Sequence, residues 1–240
     1  MIELPEQIQK VLSEIFTKAH PVSIFLYGSR ARTDFIEDSD YEVGILYKTD
    51  NKVSRSDLSK MHNIKDLRIY PFDYDEFIDN KLDTPFPKAV YLRGLVAKAV
   101  TICGDKVVES MKLPKIHTID LFEESIFQIS RAYTAMLSER EGDLVNAKAG
   151  FVKSVLYATL ALVAFKLHEF PVGYDEIIKL SNRLELDDEY KKLIEYAFEV
   201  RNGKELETQM LYKSMSYINK EVITPIKFSL NSGDEIVINV

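Results

Sequence analysis

The stretch Val22-Ser23-Ile24-Phe25-Leu26-Tyr27-Gly28-Ser29, followed after residues 30–39 by Asp40-Tyr41-Glu42-Val43-Gly44-Ile45-Leu46-Tyr47, decides the fold. Its first six residues are apolar except for Ser23 and rich in β-forming side chains, so they predict a strand that the Gly28-Ser29 turn ends. Residues 40–47 predict a second strand. Successive side chains of a strand point to opposite faces, which puts Asp40 and Glu42 on one face and Tyr41 and Val43 on the other. Two neighbouring carboxylates repel unless a cation lies between them, and a hard divalent ion is the natural partner. Gly28 lets backbone approach closely and Ser29 offers a hydroxyl. A helix starting at this turn would aim N–H groups at an anion. Together these residue types predict a site for a metal-bound nucleoside triphosphate.

The arrangement resembles the DNA polymerase beta-type nucleotidyltransferase superfamily. Its signature is Gly-Ser, a spacer of this length, and Asp-x-Asp or Asp-x-Glu on the next strand. Gly28-Ser29-Arg30-Ala31-Arg32 and Ser39-Asp40-Tyr41-Glu42 carry the resemblance, which covers residues 1 to roughly 110. The chain length, the Asp-x-Glu form and a helical second half are similar to the kanamycin-type enzymes. They are also similar to minimal nucleotidyltransferases paired with HEPN helical domains. The resemblance implies an in-line attack by an acceptor hydroxyl on the α-phosphate of a nucleoside triphosphate, ATP foremost, with transfer of AMP and release of pyrophosphate. It implies Mg²⁺ or Mn²⁺ held by Asp40 and Glu42, with Gly28 and Ser29 holding the β- and γ-phosphates. Arg30 and Arg32 would add charge-assisted contacts to the phosphates, although Arg30 could instead pair with Glu37 or Asp38.

The superfamily supplies a third acid from a neighbouring strand, and here the sequence departs from the pattern. In Ile64-Lys65-Asp66-Leu67-Arg68-Ile69-Tyr70, Leu67 and Ile69 share one face, and Asp66, Arg68 and Tyr70 share the other. Asp66 is the only acid on that face, so it is the candidate third catalytic carboxylate, but it lies at the strand's start. Arg68 holds the more central place, where it would bind phosphate. In the kanamycin-type enzymes the base comes from the helical half, where Glu123 and Glu124 are available.

The bulk numbers bound the reading. With 240 residues, 46% hydrophobic and 29% charged, the chain suits one large or two small globular domains. A net charge of -7 argues against an extended nucleic-acid surface. The one cysteine, Cys103, sits in an apolar run, excludes an internal disulfide and fits a cytoplasmic setting. No secretory leader is evident. The apolar run 155–165 is too short to span a bilayer and reads as a buried core helix. His20, His62, His117 and His168 show no metal-ligand spacing.

Along the chain, residues 2–19 predict a helix stopped by Pro21. Strands follow at 40–47, 64–70 (ended by Pro71) and 100–103, with short helices at 30–38, 56–62 and 75–80 and a longer one at 87–99. Beyond Pro114, residues 118–140, 143–168, 174–183, 187–201 and 204–222 predict a helical bundle. The expectation is an α+β protein with a nucleotidyltransferase domain over 1–113 and a helical acceptor-side or HEPN-like domain over 118–226. Residues 227–240 then form a hairpin around Asn231-Ser232-Gly233-Asp234, or a tail. The bundle would form one wall of an acceptor cleft, as the family analogy implies. RNase members of the HEPN family place a His shortly after Arg-Asn; Arg201-Asn202-Gly203-Lys204 is followed by none, which argues against ribonuclease chemistry. The partners expected are a nucleoside triphosphate and a small hydroxyl-bearing acceptor, with no membrane, and a homodimer by analogy. The alternatives are an antitoxin-like enzyme that modifies a protein, and a catalytically silent nucleotide-binding module.

Overall fold

Ile8, Val11, Leu12, Ile15 and Phe16 recur at helical spacing, and α1 (Glu6–Ala19) forms on them, burying Ile8, Leu12 and Ile15. His20 turns left-handed at its C-terminus and Pro21 follows, so the chain leaves the helix for β1 (Ser23–Tyr27). The computed structural model describes residues 4–32, 34–37, 39–48, 54–233 and 236–238. It divides into two units, Met1–Pro114 and Lys115–Val240. The fold class is α+β.

In the first unit α2 (Gly28–Arg32) follows β1 directly, and β2 (Tyr41–Tyr47) returns antiparallel to β1. After α3 (Arg55–Lys60), β3 (Leu67–Asp73) pairs parallel with β2. Next come α4 (Tyr74–Ile78) and α5 (Lys88–Val96). β4 (Val100–Gly104) then pairs antiparallel with the other side of β1, and α6 (Val107–Ser110) follows. The mixed sheet has the order β3-β2-β1-β4.

Strand alternation sorts two cores. Ile24, Leu26, Val43, Ile45, Leu67 and Ile69 face one way and pack with α1 residues and with Leu58 of α3. Phe25, Tyr27 and Leu46 face the other way and pack with Phe77 of α4 and with Leu92, Leu95 and Val96 of α5.

Strand β3 differs from the expected 64–70 at both ends, beginning at Leu67. Pro71 does not end β3, which continues to Asp73. The strand lies at the sheet edge with a single neighbour, so a residue without an N–H is tolerated where no ladder bond is required.

The second unit is helical: α7 (Thr118–Arg140), α8 (Leu144–Leu167), α9 (Tyr174–Ser181), α10 (Asp188–Arg201) and α11 (Thr208–Tyr217). A π-helical turn over Ile218–Ile223 passes the chain on to α12 (Thr224–Ser232). α8 is apolar on all sides because it is the core helix, with Phe151, Val155, Leu156 and Ala161 fully buried. Its apolar reach exceeds the run that the sequence suggested. Among the described residues it alone is long and apolar enough to cross a membrane, and 72% of that window is buried inside the protein. The hydroxyls of Thr159 and Tyr190 meet at 3.0 Å inside this core.

The hairpin over 227–240 is not formed. Lys227–Leu230 belong to α12, and Gly233 (φ 78) is its left-handed C-cap, so the Asn-Ser-Gly signal marks a helix end rather than a β-turn. Asp234, Glu235, Asn239 and Val240 lie outside the described residues. A short strand, β6 (Val237–Ile238), pairs instead with β5 (Ile116–His117). The Ile236 amide donates to the Thr118 hydroxyl at 2.8 Å beside this pairing.

Candidate active site

The C-terminal end of β1 and the N-terminal end of β2 lie side by side, with Tyr27 opposite Glu42 in the register. Tyr41 and Val43 join the core on the α1 side. Glu42 therefore projects from the other face, and Asp40, one residue before the strand, is in phase with it. The expected sharing of a face between the two acids follows from this register.

Gly28 fits the pair closely. Its φ is +74°, and a Cβ built there would stand 2.0 Å from Oε2 of Glu42. The carboxylate of Glu42 thus rests directly on the backbone of the turn, in space that any side chain would fill. Ser29 follows, half-buried, in α2. That helix has only five residues (Gly28–Arg32), so its dipole is weak and local amides matter more than the macrodipole.

Tyrosines enclose Glu42 on the sheet side. Tyr27 and Tyr91 share a hydrogen bond, and burial, with the nearby charge of Glu42 adding to it, pushes the Tyr91 phenol up to about 12. The Tyr27 phenol is likewise raised well above its ordinary value, first by burial. Both phenols therefore stay protonated, with a hydroxyl available near the carboxylate. Phe86 stacks on Tyr91 at 4.8 Å, and Arg55 lies 4.5 Å over the Tyr70 ring.

The arginines divide. In the parallel ladder Arg68 stands opposite Glu42, and its Nε lies 3.4 Å from Oδ2 of Asp40. Arg30 turns toward the loop that precedes β2. Its Nε and Nη2 donate to the Ser39 carbonyl at 3.1 and 2.9 Å, and Nη2 also donates to the Glu37 carbonyl at 3.0 Å. Its guanidinium is sandwiched between Phe35 (4.3 Å) and Tyr41 (4.6 Å). Arg30 thus fastens the loop that delivers Asp40. Asp38, its other suggested partner, lies outside the described residues. Arg32 pairs with Asp34 at 3.3 Å, both side chains largely covered.

Asp66 is exposed in a turn before β3, and its carbonyl accepts from the Tyr41 amide at 2.7 Å. It is not gathered with Asp40 and Glu42: among the described residues no three His, Cys, Asp or Glu form a group able to hold a metal. The strand position beside Glu42 belongs to Arg68. The remaining donor set still fits Mg²⁺, which takes one or two carboxylates and fills its octahedron with phosphate oxygens and water.

No family profile and no curated protein matches the chain. Among solved structures, the chain is similar to a spectinomycin adenyltransferase, AAD(9), from Enterococcus faecialis, crystallised with ATP and spectinomycin. The TM-score is 0.59 and the identity 11%, and the match covers 91% of this chain and 99% of that one. The two chains share a fold.

Sequence reasoning missed one further acid's character. Within the helical unit, Glu124 on α7 is buried and accepts a 2.5 Å bond from Gln128, whose own Oε1 accepts from Arg131 at 3.0 Å. Burial raises the Glu124 carboxyl to about 7, against the downward pull of the Gln128 bond and the Arg131 charge. Glu123 beside it is exposed. The periodicity of α7, with Leu121, Glu124, Ser125 and Gln128 on one buried stripe, was the available signal.

Proposed function

We propose that this chain is a metal-dependent nucleotidyltransferase that moves AMP from ATP to a hydroxyl of a small-molecule acceptor, releasing pyrophosphate. One observation carries the reading: Glu42 rests on the Gly28 turn and shares a sheet face with Asp40, in a fold like that of an adenyltransferase. Asp40 and Glu42 would hold Mg²⁺, which when bound neutralises charge building on the α-phosphate oxygens. The backbone of Gly28 and the Ser29 hydroxyl would bind the outer phosphates, and Arg68 would add a charge-assisted contact to them. Arg30 keeps the Asp40 loop in register, and the tyrosines beside Glu42 exclude water and limit its rotamers.

The helical unit is proposed to select the acceptor, in the manner of a HEPN-like or antibiotic-enzyme second domain. The neighbour's spectinomycin makes aminocyclitols the first class to try. A reducing cytoplasmic setting, with the thiol of Cys103 retained, and a homodimer complete the proposal. The silent-module reading draws on one observation, the Arg68–Asp40 pair that stands where a third acid would serve.

The test is pyrophosphate release from ATP and Mg²⁺ across a panel of aminocyclitol and aminoglycoside acceptors, for wild type and Asp40→Asn. Release that requires both metal and acceptor, and that drops at least about 10³-fold in the variant, is the expected result. Release that persists in Asp40→Asn would overturn the assignment.

A further inference from the structure

Glu42 and Arg68 face each other in the β2–β3 register, and Arg68 reaches past Glu42 to the carboxylate of Asp40. A guanidinium thus occupies one of the two acids that would receive a metal. The second acid, Glu42, packs against Gly28. Among the described residues no further acid joins the pair. A bare divalent cation arriving here meets a positive charge already seated on Asp40.

A nucleoside triphosphate changes that balance. Its phosphates offer a guanidinium a planar, bidentate partner that a single carboxylate contact at 3.4 Å does not match. The Arg68 side chain is 46% exposed and that of Asp40 41%, so both lie at the mouth of the site, where Arg68 can exchange one partner for the other without repacking.

We infer that Arg68 makes metal loading conditional on the nucleotide: it blocks Asp40 in the free protein and releases it by moving onto the triphosphate. The inference rests on the proposed donor site and adds a regulation to it. Arg68 then couples two ligands, and by linkage the metal must raise nucleotide affinity by the same factor as the nucleotide raises metal affinity. The arrangement would keep the site from filling with metal before its substrate arrives.

The experiment is a Mn²⁺ titration of the full chain, read by the free-ion signal in electron paramagnetic resonance, with and without ATP. Three proteins are compared: wild type, Arg68→Gln and Arg68→Lys. For wild type the expected result is weak binding alone and clearly tighter binding with ATP. In Arg68→Gln, nucleotide-free Mn²⁺ affinity should rise about tenfold, as expected for removing one unit charge at this range, and the gain caused by ATP should shrink. Arg68→Lys keeps the charge and loses the fork, so it should still block free Mn²⁺ while binding ATP less tightly. An unchanged or lower nucleotide-free affinity in Arg68→Gln, with the ATP-dependent gain intact, overturns the inference and leaves the donor site standing. Failure of wild type to bind Mn²⁺ even with ATP overturns both.

Discussion

Gly28→Ala is expected to leave a folded protein that binds Mg²⁺-nucleotide about 10- to 100-fold more weakly. The left-handed φ of +74° costs a non-glycine residue about 1 kcal/mol, which a two-unit protein of this size tolerates. The new methyl would overlap Oε2 of Glu42, which lies 2.0 Å from the place an ideal Cβ takes on this backbone. A carboxylate tip can swing aside cheaply, so the fold survives and the donor moves. Disturbing a group that orients a metal ligand typically lowers metal affinity about 10- to 100-fold. Isothermal titration of Mg²⁺-ATP into wild type and Gly28→Ala measures the loss, and a melting curve measures the strain. Equal affinity in the two proteins would show that the turn and Glu42 do not act together.

The second large effect lies in the helical unit and concerns pH. Glu124 has a folded value near 7 against an ordinary 4.5, so the protonated form is the one that fits the core. Its contribution is fully present below pH 4.5, declines as pH rises, and is gone above about 7. At about 1.4 kcal/mol per pH unit this amounts to about 3 kcal/mol across that window. Glu124→Gln keeps the shape and the acceptor for Gln128 without the ionisation. Urea unfolding at pH 5, 6, 7 and 8 should show wild type losing stability relative to the variant as pH rises, with the variant about 1–3 kcal/mol more stable at pH 8. Parallel profiles would mean that Arg131 keeps the carboxylate ionised throughout.

The parts of this fold legible in the sequence are those set by short-range rules. Alternation put Tyr41 and Val43 on the face opposite Asp40 and Glu42, and the structure packs Tyr41 and Val43 into the core on the α1 side. Helical periodicity in 118–140 and 187–201 places α7 and α10 within a residue of their observed ends. The misses share a cause: each depends on what the segment meets in space. Pro71 ends a strand only where an N–H is needed, and edge position is invisible locally. Asn231-Ser232-Gly233 fits a hairpin turn and a helix cap equally well, and the preceding π-turn and α12 decide between them. That Phe35 and Tyr41 enclose the Arg30 guanidinium is likewise set in space and not by local spacing. Asp66 and Arg68 share a face by alternation. Only the register with β2, and the turn that holds Asp66, separate the residue beside Glu42 from the one that is not.

The most direct measurement of the central claim is the thermal stability of wild type and Asp40→Ala with ATP, GTP, CTP or UTP, each with and without Mg²⁺. Ligand at about 100 times its dissociation constant stabilises the folded state by about 2.7 kcal/mol, a rise of about 2–4 °C per kcal/mol for a protein of this length. The account predicts a Mg²⁺-dependent rise for wild type, largest with ATP, that vanishes in Asp40→Ala. Full retention of that rise in Asp40→Ala, or its absence from wild type with every nucleotide at millimolar concentration, would contradict it.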